Sequence, residues 1–261
     1  EFALNGDGGG GTLDEATGKP RFYAVQGAEK SYASFALTAR NPGGHSSQPR
    51  PDNAIYDLAD ALKALQGYSF PVMWNDWTLG SFKASAPVTP GELGRAMAKF
   101  AAHPGDADAA AVLAKTPAMV GRTRTTCVAT MLIGGHADNA LPQSATATVN
   151  CRIFPGTSVA EVRDSLQQVV GDRIEVQVLG EPHSSPPSPL RDDVLEAVTK
   201  AVRASHPGVP IVPDMAPYAT DGSIFRGAGI PTYGVSSLFM KQSDEFAHGL
   251  NERVPVAAFY A

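Results

Sequence analysis

Apolar and polar residues alternate from Tyr32 to Ala39, with Ala33, Phe35, Leu37 and Ala39 on one side. That spacing predicts a half-buried strand. After the loop NPGGHSSQPRP, apolar positions recur at helical spacing at Ala54, Ile55, Leu58, Leu62 and Leu65. Two more strands follow: one with Cys127, Ala129, Met131 and Ile133 on a single side, and one with Ala145, Ala147, Val149, Cys151 and Ile153 facing the core. Thr146, Thr148, Asn150 and Arg152 occupy the second strand's polar face. Ser158 and Glu161 form a capping box that opens a helix striped by Val159, Val162, Leu166 and Val169. Ile174 to Leu179 reads as a last strand. The order strand–helix–strand–strand–helix–strand predicts a ferredoxin-like split βαβ unit over residues 27–180. Residues 71–120 read as an irregular insertion within it, holding Trp74, Trp77 and a short helix near Leu93–Ala102.

Phe2, Ala3 and Leu4 read as the end of a buried strand. The Pro- and Ser-rich run GEPHSSPPSP, from Gly180 to Pro189, marks a boundary. Beyond it come a helix with Val194, Leu195, Val198 and Val202, a short strand near Ile211, the loop TDGSIF and a strand at Ile230–Val235. This is α/β material, and residues 1–26 join it by elimination. The expectation is a two-domain α/β chain. Residues 1–26 and 181–261 form a partial α/β domain that is interrupted by the ferredoxin-like unit at 27–180. Both ends look cut.

Composition narrows the function. The 261 residues are 43% hydrophobic with a net charge of −5, which supports a sizeable core and argues against nucleic acid as the main partner. The 26 glycines and 21 prolines indicate a loop-rich chain. No apolar run approaches the roughly 18–20 residues of a membrane span. Cys127 and Cys151 sit at mirror-image distances from Asn139, on two strands joined by a turn. Two buried free thiols are the expectation, and a cross-strand disulfide is the alternative.

Taken singly, the polar candidates are ambiguous. Asp7 precedes four glycines at the end of a strand, where an acid suits a metal or substrate site, or merely a polar turn. His45, in GGHSS, could donate to a developing oxyanion or be a solvated loop residue. Turn chemistry accounts for Asn139 in GGHADNALP. Arg152 could capture a carboxylate with its guanidinium or be an ordinary sheet residue. His248, in EFAHGLNERV, could ligate zinc or be solvated. His103, His136, His183 and His206 read as loop residues. No HExxH, GxSxG, Walker or GxGxxG motif has the context it needs.

Their order is more informative. GAEKSY, GGHSSQPRPDNAI, RTRTT, GGHADNALPQSATATVNCRIFPG, YATDGSIF, GIPTYG and AHGLNERV occur in succession. The set resembles the aminoacylase/carboxypeptidase S family of zinc metallopeptidases (metallopeptidase family twenty), and most closely its carboxypeptidase S-like branch, whose secreted animal members act on N-fatty-acyl amino acids. The resemblance implies a catalytic α/β domain with two zinc ions, interrupted by a ferredoxin-like dimerisation or lid domain. It implies hydrolysis of amide bonds beside a free carboxylate, with peptides or N-acyl amino acids as substrates and a homodimer formed through the lid. By this resemblance Asp7 and His248 are metal ligands, and His45 stabilises the oxyanion in the partner subunit's site. Asn139 and Arg152 help to bind the substrate's carboxylate end, and Thr220, Asp221 and Gly222 line the pocket. The family's His-x-Asp motif, bridging Asp and Glu–Glu pair would lie before Asp7 and are not in this sequence. This chain alone is therefore expected to be inactive. The alternative is a non-catalytic dimerising or binding module. Any signal peptide would precede Glu1, and an exported, periplasmic location is favoured over the cytoplasm.

Overall fold

The computed structural model describes residues 1–260 and divides into two compact units. The first contains Glu1–Lys30, Val72–Thr123 and Ser185–Ala261; the second contains Ser31–Pro71 and Arg124–Ser184.

The second unit is the expected ferredoxin-like fold. Its four-stranded antiparallel sheet runs in the order Thr126–Gly134, Ser144–Ile153, Ser31–Arg40, Ile174–Leu179. The two central strands pair over ten residues, from Ser31 opposite Ile153 to Arg40 opposite Ser144. Helices Ala54–Gly67 and Val159–Val170 cover one face. Ala54, Leu58, Ala61, Leu65, Val162 and Leu166 pack there against Ala33, Phe35, Leu37, Ala147, Val149 and Ile153. Asn53 caps the first helix by accepting from the Ile55 N–H at 2.8 Å. Ser158 and Glu161 close the predicted capping box on the second, typically worth about 1 kcal/mol to the helix. The sheet's other face carries Tyr32, Ser34, Thr146, Thr148, Asn150 and Arg152, as alternation requires.

Two details of this unit correct the sequence reading. Cys127 and Cys151 lie directly opposite each other and are disulfide-bonded, so neither is a free thiol. Adjacent strands bring directly opposed side chains within bonding reach, and this pair meets on the helix-covered face. In addition, the register shifts between Ala129 and Met131. One extra residue reverses the alternation: Ala129 lies opposite buried Val149, whereas Met131 and Ile133 lie opposite Thr148 and Thr146 on the open face. Met131 and Ile133 are consequently exposed, not core residues, and Leu132, opposite Ala147, is exposed as well.

The first unit is built on a six-stranded mixed sheet. At its centre is Pro20–Glu29, a strand the hydrophobic pattern does not reveal. It pairs antiparallel with Gly10–Leu13 and parallel with Ile211–Ala216. Thr232–Gly234 touches it through Gly234 and Gln26, and pairs in parallel with Ala3–Asn5. Among the described residues Ala3–Asn5 has only that one neighbouring strand, and Phe2 and Leu4 are exposed instead of buried. The division between units falls after Lys30, so the central strand runs through the boundary expected at residue 27. Residues 72–123 are more regular than expected: besides Gly91–Ala102, which matches the helix expected near Leu93–Ala102, they form helices Asp76–Ser85, Ala107–Leu113 and Pro117–Thr123, and they pack in the first unit. Phe82, Met97, Phe100 and Leu113 make their core. Trp77 anchors them. Its indole N–H donates to the Ser188 carbonyl at 2.8 Å, and its ring lies against Gly27, where any side chain would collide with it.

Candidate functional site

The predicted site residues fall into two groups in the second unit. His45 and Asn139 come together on a short ribbon in which Gly44–His45 pairs with Ala140–Leu141. The Ser46 N–H donates to the Asn139 carbonyl at 3.1 Å, and both site side chains are exposed. The His45 ring is held by Ser47: the backbone N–H of Ser47 lies 3.1 Å from Nδ1 and its hydroxyl 2.8 Å away. A backbone N–H can only donate, so Nδ1 is the acceptor and the neutral ring carries its proton on Nε2. The exposed His45 thus has an N–H donor that Ser47 does not engage. Ser47 was not among the sequence candidates, although its signal is present in GGHSS, two residues after the histidine.

Arg152 lies elsewhere in this unit. It stands near the far end of Ser144–Ile153 from Ser144, about 26 Å along the strand at 3.3 Å per residue. Its guanidinium carbon sits 4.8 Å from the centre of the Tyr32 ring. It makes no ion pair with any described residue.

In the first unit, Asn5 links Asp7 to the 220–222 loop. Its side-chain oxygen accepts from the Asp7 N–H at 3.0 Å, and its amide nitrogen donates to Thr220 Oγ1 at 3.3 Å. Beneath that loop lies a buried charged network in which Glu29 is fully enclosed and Arg226 nearly so. Glu29 accepts from the Thr220 N–H at 3.1 Å, from the Thr220 hydroxyl at 2.6 Å and from Gln26 Nε2 at 2.7 Å. Arg226 Nη2 lies 2.6 Å from its other oxygen. Arg226 also donates to the Thr232 carbonyl at 2.9 Å. Thr220 and Gly222 are buried, while Asp221 is exposed. Nearby, Tyr218 keeps 47% of its surface open. Its phenol is nevertheless pushed up to about 12, first by burial and then by the Asp214 carboxylate, with Glu245 and Asp7 adding to the negative field. Asp214 itself pairs with Arg122. Burial also raises the Glu245 carboxyl.

His248 is exposed and adopts a φ of 64°, in the left-handed region that non-glycine residues enter uncommonly. Its backbone N–H donates to Glu252 at 3.3 Å. Among the described residues no group of three or more His, Cys, Asp or Glu side chains is gathered so that it could hold a metal ion. Among the described residues, Asp7 and His248 are thus not gathered with a third ligand of these types.

Residues 27–176, more than half of the chain, match the peptidase dimerisation domain of the M20 peptidases. This chain belongs to the M20 peptidase dimerisation domain family. Among M20 relatives, it is 30% identical over 230 residues to the N-fatty-acyl-amino acid synthase/hydrolase PM20D1 of Xenopus tropicalis, covering 87% of this chain and 44% of that protein. It is 25% identical over 235 residues to a carboxypeptidase S-like protein of Dictyostelium discoideum, again covering 87% of this chain and 44% of that one. The chain thus spans about half the length of these relatives. Among solved structures, the M20 family metallo-carboxypeptidase Sso-CP2 of Sulfolobus solfataricus superposes with a TM-score of 0.54 at 16% identity, covering 85% of this chain and 60% of that one. That likeness supports the M20 fold. The α/β reading and the family resemblance stand. The M20 match also spans residues 72–123, whose helices pack in the first unit.

Of the Glu29 network, the sequence candidates include Thr220 but not Glu29, Gln26 or Arg226. Glu29 lies in GAEKSY, and its position in the central strand of the first unit, beside Arg226, gives it its role.

Proposed function

We propose that this chain is the dimerising and substrate-orienting part of a hydrolase that cleaves peptide or N-acyl-amino-acid amide bonds beside a free carboxylate. The observation that carries the reading is His45, whose Nδ1 is occupied by Ser47 and whose Nε2–H Ser47 leaves unengaged. Such a donor stabilises the oxyanion that forms when the amide carbonyl is attacked. Arg152 supplies a guanidinium for the substrate carboxylate. Asn139 assists it, and the Thr220–Gly222 loop lines the pocket. Arg152 stands roughly 26 Å along its strand from Ser144, the strand end that follows the ribbon's Ala140–Leu141, which fits a site that draws these residues from two copies. A homodimer through the edge strand Thr126–Gly134 provides them. That edge exposes Val128, Met131, Leu132 and Ile133, and the adjoining helix exposes Ile55 and Tyr56. An unpaired apolar edge of this kind is a pairing surface.

The metal reading is two zinc ions in the complete protein, with Asp7 and His248 among their ligands. This chain alone is inferred to bind substrate without turning it over. The Cys127–Cys151 disulfide supports an exported, oxidising location. The test compares an N-acyl amino acid with its carboxamide, using the polypeptide encoded by the complete gene. Hydrolysis of the acid but not of the carboxamide is expected. Equal rates, or no hydrolysis of either, would reject the reading.

A further inference from the structure

Tyr32 and Arg152 are directly opposed on neighbouring strands, on the face of the second unit's sheet that its helices leave open. Tyr32 is 51% exposed, so the core does not hold its ring in place. The ring instead lies under the guanidinium, with 4.8 Å from the guanidinium carbon to the ring centroid. Its hydroxyl is tethered along the same face: Asn150 Nδ2 donates to Ser34 Oγ at 3.2 Å, and Ser34 Oγ donates to the Tyr32 hydroxyl at 3.4 Å. The Arg152 side chain has no carboxylate partner and donates no hydrogen bond to a described residue. Arginine on a sheet face ordinarily satisfies its donors with an acid or with water. Here a π-face supports the cation while its planar fork of N–H donors remains available.

We propose that Tyr32 is a positioning residue for Arg152. It holds the guanidinium flat over its ring, with the Asn150–Ser34 relay fixing the ring, so that the donors meet a ligand carboxylate ready-oriented. This rests on the reading of Arg152 as the carboxylate-binding residue, and it adds the element that orients it. Preorganisation of this kind lowers the ordering cost of binding. Because the main support is the aromatic face, phenylalanine, which keeps the face and loses only the tether from Ser34, retains most of the effect, and an aliphatic residue does not.

The test uses the full 261-residue chain with three variants, Y32F, Y32L and R152A. The first readout needs no ligand. In the wild type and in Y32F, ring current shifts the Arg152 side-chain NMR signals upfield; in Y32L that shift disappears. Unchanged Arg152 signals in Y32L would overturn the proposal. The second readout is the affinity for an N-acyl amino acid set against its carboxamide. Y32L is expected to weaken binding of the acid roughly two- to fivefold, the range of an exposed cation–π contact, with the carboxamide unaffected and Y32F close to wild type. If R152A weakens the acid and Y32L does not, Tyr32 is not a positioning residue and the reading of Arg152 survives. If R152A leaves acid binding unchanged, the carboxylate reading of Arg152 falls and the positioning role falls with it.

Discussion

Replacing Glu29 with glutamine isolates the charge in the buried network of the first unit. The substitution preserves shape and leaves a carbonyl oxygen to accept from Thr220, but it removes the counter-charge of Arg226. That guanidinium, 2% exposed at its side chain, then keeps only neutral partners, the Thr232 carbonyl at 2.9 Å and Ser185 Oγ at 3.3 Å. Breaking one side of a buried ion pair costs about 3–5 kcal/mol, because the remaining charge stays desolvated. Against a total stability on the order of 5–15 kcal/mol this is a large fraction. With a urea dependence of about 2 kcal/mol per molar, it corresponds to a fall in the unfolding midpoint of about 2 M. The assay is urea unfolding followed by tryptophan fluorescence. Trp74 and Trp77 are the chain's two tryptophans and both lie in the first unit, so the signal reports the unit that contains the network. The double substitution Glu29→Met with Arg226→Leu removes both charges and is expected to cost less than Glu29→Gln alone, since well-packed apolar pairs often replace buried ion pairs at little cost. A loss below about 1 kcal/mol in Glu29→Gln, an ordinary substitution's effect, would refute the view that this pair is a desolvated, mutually dependent one. So would a double variant as unstable as the sum of the two single ones.

Other consequences are accessible to simple experiments. Removing the Cys127–Cys151 bond by substituting both cysteines with serine should destabilise the second unit by about 2–4 kcal/mol, as for a closed loop of this length; a thermal melt followed by circular dichroism that is unchanged by reductant would show that the bond contributes nothing. Burial pushes the Tyr23 phenol up to about 12. A folded pKa above the unfolded value of about 10 means that its contribution to stability is complete below pH 10 and is lost as the pH rises from 10 towards 12. Ultraviolet titration of tyrosinate should therefore show a late-ionising fraction in the folded chain that moves to about 10 in denaturant; a single transition near 10 would contradict the burial argument. Ile133→Lys places a charge on the free apolar edge and is expected to convert a dimer to a monomer in light scattering without altering the melt, whereas a dimer that persists would place the interface elsewhere.

The sequence revealed the second unit well because its sheet is covered on one side only. Phe35, Leu37, Ala147 and Val149 face the helices and polar residues face away, which is a strong period-two signal. The edge strand defeats the same reasoning after Ala129, since a one-residue bulge reverses the faces and nothing in CVATMLIG marks it. The central strand of the first unit was hidden for the opposite reason. Residues 25–30 of Pro20–Glu29 and its exit are all buried, with Gln26 and Glu29 inside, so no alternation survives. Of the helices of residues 72–123 the sequence announces only the one near Leu93–Ala102; the others are short, and glycine and proline within or between them leave no long apolar stripe. For the site, the motifs singled out His45, Asn139, Arg152 and the Thr220 loop. Their supports, Ser47, Tyr32 and Glu29, lie within GGHSSQPRPDNAI and GAEKSY, but their roles emerge only from contacts.

The most direct test of the proposed chemistry is the effect of His45→Ala on turnover of an N-acyl amino acid by the polypeptide of the complete gene. The account predicts a fall in kcat of about 10²–10³, the worth of one oxyanion donor, with KM little changed, because the ring acts on charge that develops only in the transition state. An unchanged kcat would contradict it, as would a loss confined to KM.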